Sequence, residues 1–424
     1  MKKFEVLQNE NNMLAKIYCT ENSQFYAQRF LDIISKYETC FGKTDGATLF
    51  RAPGRTELGG NHTDHQRGCV LAGSVDLDII ACVALNGENV IRIQSEGYPM
   101  DEISLDESEV KTEEFNQAKA LIRGVYAKFK DLGYNIKGFN AYTSSNVLKG
   151  SGLSSSAAFE VLIGNIFNGL FAGGEVSPVE IAQIGQFAEN VYFGKPCGLM
   201  DQMASSIGGI IYIDFEKSEK PLIKIIDFDF SKCGYALCII DSGADHAELT
   251  EEYAAIPKEM KEVAGYFNKE VLRDVCKDDF INAIPDIRSK FGDRAVLRAL
   301  HFFNENERAL MEAEALEKGD FDKFLELIKE SGRSSYMYLQ NVCVRGSIRE
   351  QAVAVVLAFC EEFLKNNGAY RVHGGGFAGT VQAFVPISML EEFKNKIERI
   401  IGKDNCHVLS IRPVGGIMLG RNYD

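Results

Sequence analysis

Residues 51–65, RAPGRTELGGNHTDH, gather a permanent cation (Arg55), an imidazole (His62) and two carboxylates (Glu57 and Asp64) around two glycine-bearing turns, Pro53-Gly54 and Gly59-Gly60. Backbone freedom beside rigid polar groups suits a chain that closes around a small hydrophilic ligand. Asp64 can accept two hydrogen bonds from neighbouring hydroxyls, and Arg55 supplies a charge that does not titrate away. Taken alone, the segment also reads as a polar surface turn with a helix cap, because turns favour these residue types.

A second stretch, SNVLKGSGLSSSAA at 145–158, runs from a strand into a helix. Gly150 and Gly152 let the backbone bend tightly, and Ser154, Ser155 and Ser156 stand where the helix begins. Free N–H groups and the positive end of the helix dipole make such a turn an anion site. It is not a Walker A loop, because the terminal Gly-Lys-Ser/Thr is missing. A serine at the start of the helix could also ligate Mg²⁺ if a carboxylate approaches. Glu189 and Asp201 are the carboxylates at hand, both set among apolar residues, where a carboxylate needs a partner or a task. Arg55 is the natural partner for Asp201, and the pair would keep Asp201 ionised and able to accept a proton. A structural helix cap or a buried salt bridge is the alternative.

The third stretch, RVHGGGFAGTVQAFV at 371–385, places four glycines within six positions ahead of a strand. Its G-x-G-x-x-G match precedes a strand and not a helix, so a dinucleotide-binding turn is excluded on context.

These loops need a frame. A chain of 424 residues exceeds one ordinary core and predicts two lobes. Residues 22–41 have helical spacing, 47–105 carry short β-rich runs (including CVLAGSV and IIACVAL as separate runs), and 116–132, 156–172 and 178–192 read as helices, the last opened by a Ser177-Pro178-x-Glu180 capping box. A strand pair at 208–214 and 236–241 follows, then helices over 247–334 and 346–366, then strand 380–385, helix 387–401 and strand 406–412. The class is α+β, with a boundary near 190–235 and lobes of 1–210 and 211–424 that pack around a cleft.

Composition limits the partners. An apolar fraction of 46%, a charged fraction of 25% and a net charge of −14 describe a globular protein unsuited to nucleic acid or to an anionic membrane surface. The N-terminus lacks an apolar stretch of signal-peptide length, and no run reaches the length of a membrane span. Eleven cysteines without C-x-x-C pairs read as reduced thiols in a cytoplasm, and six histidines without H-E-x-x-H give a zinc hydrolase no support. Oligomeric state is not legible; a monomer is compatible with everything above.

The three loops, in this order and spacing, resemble the three motifs of the GHMP small-molecule kinases, and within that family the galactokinases. The first motif, GRVNLIGEHTDYNDGFVLP, is similar to GRTELGGNHTDHQRGCVLA at 54–72. PxGxGLSSSAS is similar to KGSGLSSSAA at 149–158, CGIMDQ to CGLMDQ at 197–202, and GGGFGG to GGGFAG at 374–379. Residues 305–331 also resemble a helical segment of the galactokinases, and the likeness covers nearly the whole chain.

The resemblance implies a two-lobed fold, with a mixed-sheet N-terminal lobe, a helix-rich ferredoxin-like C-terminal lobe and the active site between them. It implies ATP-dependent phosphorylation of galactose at its anomeric hydroxyl, giving galactose 1-phosphate and ADP. By position, Asp201 is then the base for the C1 hydroxyl, and Arg55 stabilises its charge and the transferring phosphoryl. Lys149, Gly150, Ser151, Gly152, Leu153, Ser154, Ser155 and Ser156 would cradle the nucleotide phosphates, with Ser156 and Glu189 as Mg²⁺ ligands. Asn61, His62, Asp64, Gly198 and Tyr253 match positions that hold the sugar. Five departures bear on the substrate: the family's Glu is Asn61, its Asn is Glu57, its Tyr is His65, Ala254, Ala255 and Ile256 replace basic residues after Tyr253, and its SHxSL segment reads SGRSS at 331–335. Asn61, matched to a position facing the sugar's C6 region, loses a charge there. Alternatives are a related sugar-1-kinase acting on N-acetylgalactosamine, arabinose or a galacturonate-like sugar, or a non-catalytic regulator that binds sugar and ATP.

Overall fold

The computed structural model describes residues 11–19, 23–42, 46–147, 152–217, 219–244, 249–344 and 346–420. Helices α1 (Asn11–Tyr18) and α2 (Ser23–Phe41) precede strands β1 (Thr48–Gly59), β2 (Cys69–Leu85), β3 (Val90–Ser95) and β4 (Asp101–Ser104). Helix α3 (Ala118–Asp131) then leads to β5 (Phe139–Ser145). A helical block follows: α4 (Ser155–Phe171), α5 (Pro178–Phe187), a π turn over Ala188–Phe193, and α6 (Met200–Ile207). Strands β6 (Ile210–Asp214), β7 (Leu222–Ile226) and β8 (Tyr235–Asp241) come before α7 (Thr250–Tyr266), α8 (Lys277–Phe291), α9 (Asp293–Glu317) and α10 (Phe321–Ser334). The last elements are α11 (Ala352–Leu364), β9 (Ala369–His373), β10 (Thr380–Pro386), α12 (Leu390–Ile401), β11 (Cys406–Leu409) and β12 (Ile417–Met418).

The larger sheet has the order β12-β1-β2-β5-β3-β4, with β6 added to β2 and β7 to β6. Its pairings are antiparallel except β3 with β5. The period-2 alternation of β2 explains how this sheet is covered on both faces. Leu71, Val75, Ile79, Ala81 and Val83 face the main core with α4, whereas Ile80, Cys82 and Ala84 face Leu14, Tyr18, Phe30, Ile33 and Tyr37 of α1 and α2. Val70 and Ala72, of the same parity, pack on Met203 and Ala204 of α6. The runs expected separately at CVLAGSV and IIACVAL are therefore one continuous strand. Asp76 and Asp78 between them do not turn the chain: the pairing with β1 continues past them across a bulge at Pro53–Arg55, and the buried Asp78 carboxylate is taken up by Arg51 and Arg29.

The smaller sheet, β11-β8-β10-β9, is antiparallel throughout. Cys238 and Ile240 of β8 face α11 and α12, and Leu237 and Ile239 face the core that holds Phe324, Leu325 and Ile328 of α10. The expected strand pair at 208–214 and 236–241 is corrected here: Ile210–Asp214 lies in the larger sheet and Tyr235–Asp241 in the smaller. Sequence order does not decide pairing when each strand has a stronger apolar partner elsewhere. The change of sheet falls between Ile226 and Tyr235, so β6 and β7, from beyond residue 210, belong to the larger sheet. All eleven cysteines are free thiols. Among the described residues, no helix is long and apolar enough to cross a membrane.

Candidate active site

The end of β1, the start of α4 and the first turn of α6 meet at one point. Arg55 Nε and Nη2 donate to the two carboxylate oxygens of Asp201 at 2.7 and 2.8 Å, a two-pronged pair of the geometry that suits guanidinium best. Arg55 Nη1 donates to the Gly152 carbonyl, and the Arg55 amide donates to the Leu153 carbonyl at 3.1 Å. Ser154 Oγ donates to Asp201 Oδ2. Burial pushes the Asp201 carboxyl up, but the Arg55 charge, its hydrogen bonds and that of Ser154 outweigh burial and hold the carboxyl below its ordinary range. Its place in the first turn of α6 adds the favourable end of the helix dipole. The Asp201 side chain keeps 32% of its surface exposed while Arg55 keeps 7%, so the carboxylate is fixed from behind and open in front.

Around this pair stand the residues of the first and third loops. Asp64 Oδ1 accepts from the His65 amide at 2.8 Å, and Gly198 lies so close to Asp64 that any side chain at 198 would run into its carboxylate. Burial, then the negative charge of Asp201, raises the Asp64 carboxyl to about 6. His62 Nε2 lies 3.1 Å from the Gly375 carbonyl, and burial lowers its imidazole to about 4, so the ring is neutral at physiological pH. The Tyr253 hydroxyl donates to the Gly376 carbonyl at 2.8 Å, with its ring against Gly375, where a Cβ would fall 2.6 Å from the ring. The turn between β9 and β10 thus joins His62 to Tyr253. Three non-glycine residues here have left-handed backbone: His62 at φ +58°, Ser154 at +51° and Phe377 at +57°. One comes from each of the three loops, and strain of about 1–3 kcal/mol per such residue persists where the surroundings over-determine the conformation.

Asn61 does not open toward this cleft. It is wholly buried, its Nδ2 donating to Glu57 Oε1 at 2.9 Å and to the Gly374 carbonyl at 2.7 Å. Its Oδ1 accepts from Asn341 Nδ2 at 3.0 Å and Ser335 Oγ at 3.3 Å.

Glu189 sits in the π turn that follows α5, an irregularity often found at functional sites. Gln202 Nε2 donates to Glu189 Oε2 at 3.0 Å and to Glu160 Oε2 at 2.9 Å, and Lys195 Nζ lies 3.8 Å from Glu189 Oε1. Burial pushes both carboxyls up, Glu160 further because of the Glu189 charge, and Glu160 Oε1 has no hydrogen-bond partner. Ser156 begins α4 one turn before Glu160, on the same helix face. Among the described residues no three His, Cys, Asp or Glu side chains are placed to cage a metal. Mg²⁺ does not need a cage, since one or two protein oxygens with phosphate and water complete its shell. Glu160 Oε1, buried without a partner, and the Glu189 carboxyl that shares the Gln202 amide with Glu160 are oxygens a cation would satisfy, and Ser156 shares the helix face of Glu160, so the donor set fits that chemistry. Lys149, Gly150 and Ser151 lie outside the described residues; Gly152, Leu153, Ser154, Ser155 and Ser156 run from the bend into the first turn of α4.

Sequence reasoning missed Glu160, Gln202, Asn341 and Arg371. Gln202 follows Asp201 directly, and Glu160 lies four residues after Ser156, so helical periodicity could have found both. Asn341 and Arg371 meet the first loop only through the fold.

Comparison with known proteins came to the same regions. Residues 120–209 match the GHMP kinases N terminal domain and residues 35–85 the galactokinase galactose-binding signature. A galactokinase of Glaesserella parasuis serovar 5 (strain SH0165) is 30% identical over 371 residues, covering 86% of this chain and 91% of that protein. The crystal structure of Lactococcus lactis galactokinase complexed with galactose superposes with a TM-score of 0.78 at 26% identity, covering 92% of this chain and 99% of that one. Methanococcus jannaschii mevalonate kinase, at 15% identity and a TM-score of 0.61 over 87% of this chain and 99% of that one, shares the fold.

Proposed function

The chain belongs to the galactokinase family of GHMP kinases, and from that premise we propose how its own residues carry the reaction. It transfers the γ-phosphoryl group of ATP to the anomeric hydroxyl of galactose, giving galactose 1-phosphate and ADP. In our assignment Asp64 and neutral His62 hold sugar hydroxyls, Gly198 leaves the room that Asp64 and the sugar need, and Tyr253 braces the glycine turn behind them. Asn61 sets the turn from beneath. The C1 oxygen attacks the γ-phosphorus as the bond to the bridging oxygen of ADP breaks, and the hydroxyl proton passes to an Asp201 oxygen. A carboxylate held below its ordinary range is a weak base, which suffices because phosphoryl transfer passes through a loose transition state governed by position and charge. Arg55 keeps Asp201 ionised and adds positive charge where the transferring phosphoryl gathers negative charge.

The backbone from Lys149 to Ser156 would take the nucleotide phosphates at the start of α4. Ser156 and Glu189 would hold the Mg²⁺, which neutralises phosphate charge when bound. We place the protein in the cytoplasm, a reading supported by eleven free thiols. We take the two lobes to divide between Ile226 and Tyr235, where the chain changes sheet, and not at 210/211, which would cut β6; the first two loops lie on one lobe and the glycine turn on the other.

The observation that carries this reading is the two-pronged Arg55–Asp201 pair, joined by Ser154 from the phosphate loop. A coupled ADP-release assay over a panel of sugars tests it. Galactose-dependent ADP release is expected, with galactose first in kcat/KM; sugar binding without turnover of any sugar would overturn it.

A further inference from the structure

The first-loop turn departs from the family pattern at positions four residues apart, and the structure brings those two side chains into contact. Where the galactokinase pattern carries Asn and then Glu, this chain carries Glu57 and then Asn61. Asn61 Nδ2 donates to Glu57 Oε1 at 2.9 Å. We propose that Glu57 and Asn61 are one reciprocal exchange, which moves the carboxylate of this turn from position 61, assigned to the sugar by the family resemblance, to position 57 in the interior and leaves the C6 end of the sugar without an anionic acceptor. The specificity part rests on the galactokinase reading above.

Three observations carry it. First, the amide of Asn61 is saturated within the protein. Its donors go to Glu57 and Gly374, its oxygen accepts from Asn341 and Ser335, and none of its surface is exposed. No capacity remains for a sugar hydroxyl. Second, the carboxylate at 57 has a buried counter-charge. The Arg371 guanidinium, itself wholly buried, donates to the same Glu57 Oε1 and to Ser331 Oγ at 3.0 Å. Third, neither residue can revert alone. A glutamate at 61 beside Glu57 would face a second carboxylate and the Gly374 carbonyl with no proton to offer either. An asparagine at 57 beside Asn61 would leave Arg371 without the carboxylate it now holds. Changing both puts one amide and one carboxylate back in contact, with an amide oxygen at 57 to accept from Arg371 and a single negative charge in the pair, and leaves only the Gly374 carbonyl without its donor; partial recovery of this kind is what coupling between neighbours produces.

The test is a cycle of E57N, N61E and E57N/N61E, read by thermal melting and by steady-state kinetics with galactose and 6-deoxygalactose. Each single variant is expected to lower Tm by about 5 °C or more, because each leaves a buried charge uncompensated, and the double to recover at least half of the larger loss, the Gly374 carbonyl still lacking its donor. The double variant is also expected to raise the galactose to 6-deoxygalactose ratio of kcat/KM by about tenfold or more, mainly through KM, as a regained charged hydrogen bond would. If a single variant does not fold, the double variant alone decides. A double variant that is no more stable than the singles, or does not fold, overturns the coupling; one that recovers stability with an unchanged sugar ratio overturns the specificity. Wild-type protein that phosphorylates neither sugar would instead sink the galactokinase reading, and the melting cycle would still decide whether the pair is coupled.

Discussion

Arg55 and Asp201 lie 146 positions apart, yet each carboxylate oxygen of Asp201 receives its own guanidinium N–H, at 2.7 and 2.8 Å. Ser154 adds a third donor from the phosphate loop. A carboxylate so held is ionised and fixed in direction while 32% of its side-chain surface stays exposed. The pair therefore links the segment assigned to the sugar, the segment assigned to the nucleotide and the assigned base.

Asp201→Asn keeps the size of the side chain and removes the proton acceptor. We expect kcat to fall by about 10²–10⁴-fold, the span of general-base contributions. Galactose affinity, measured by calorimetry, should stay within about threefold if the residue acts in chemistry rather than in sugar binding. Near-normal turnover would remove Asp201 from the base role.

Arg55→Lys replaces a planar fork with a point charge that cannot serve both oxygens. The Asp201 carboxyl, now held below its ordinary range by Arg55 and its hydrogen bonds, should rise toward it. The acid limb of the kcat–pH profile should shift upward with it. A profile identical to wild type would show that Arg55 does not set the ionisation of Asp201.

Asp64 titrates in an accessible range, at about 6. Because burial and Asp201 raise it, the folded protein binds the proton more tightly than the unfolded chain. Its contribution to stability is thus full below the ordinary aspartate range and is lost as pH rises through about 6. Sugar binding runs the other way if the ionised form accepts two hydroxyls. KM for galactose should rise as pH falls below about 6, and Asp64→Asn should remove that dependence. A KM–pH profile flat across this range in the wild type would exclude the assignment.

Gly198→Ala brings a methyl group into the Asp64 carboxylate. Overpacking of this kind costs about 1–3 kcal/mol, so KM for galactose should rise by roughly tenfold as Asp64 is displaced. Steady-state kinetics with an unchanged KM would show that Asp64 does not bind the sugar.

Glu189→Gln separates a ligand from a structural carboxylate. A lost ligand should raise the Mg²⁺ concentration for half-maximal rate by about tenfold or more. Burial already pushes the Glu189 carboxyl up, so the neutral amide should leave Tm unchanged or raised. An unchanged Mg²⁺ dependence together with a lower Tm would make Glu189 structural.

The sequence by itself determined what its local chemistry could specify. Helical spacing marked α2, α3, α4 and α5, and the Ser177–Glu180 capping box is present as read. Glycines and serines marked the bend before α4, and the types of Arg55, His62, Asp64, Glu189 and Asp201 declared charges that need partners. Local pattern carries these because helix periodicity, caps and turn conformations are set by residues a few positions apart.

Which charges meet was settled by the fold. It sent Asp201 to Arg55, Gln202 to both Glu189 and Glu160, and Arg371 to Glu57, pairings set by sheet register and helix packing across long stretches of chain. It also turned the Asn61 amide inward, where the family resemblance had pointed it at the sugar. A buried polar side chain takes the partners that satisfy all its donors and acceptors, and those come from segments that only folding brings together.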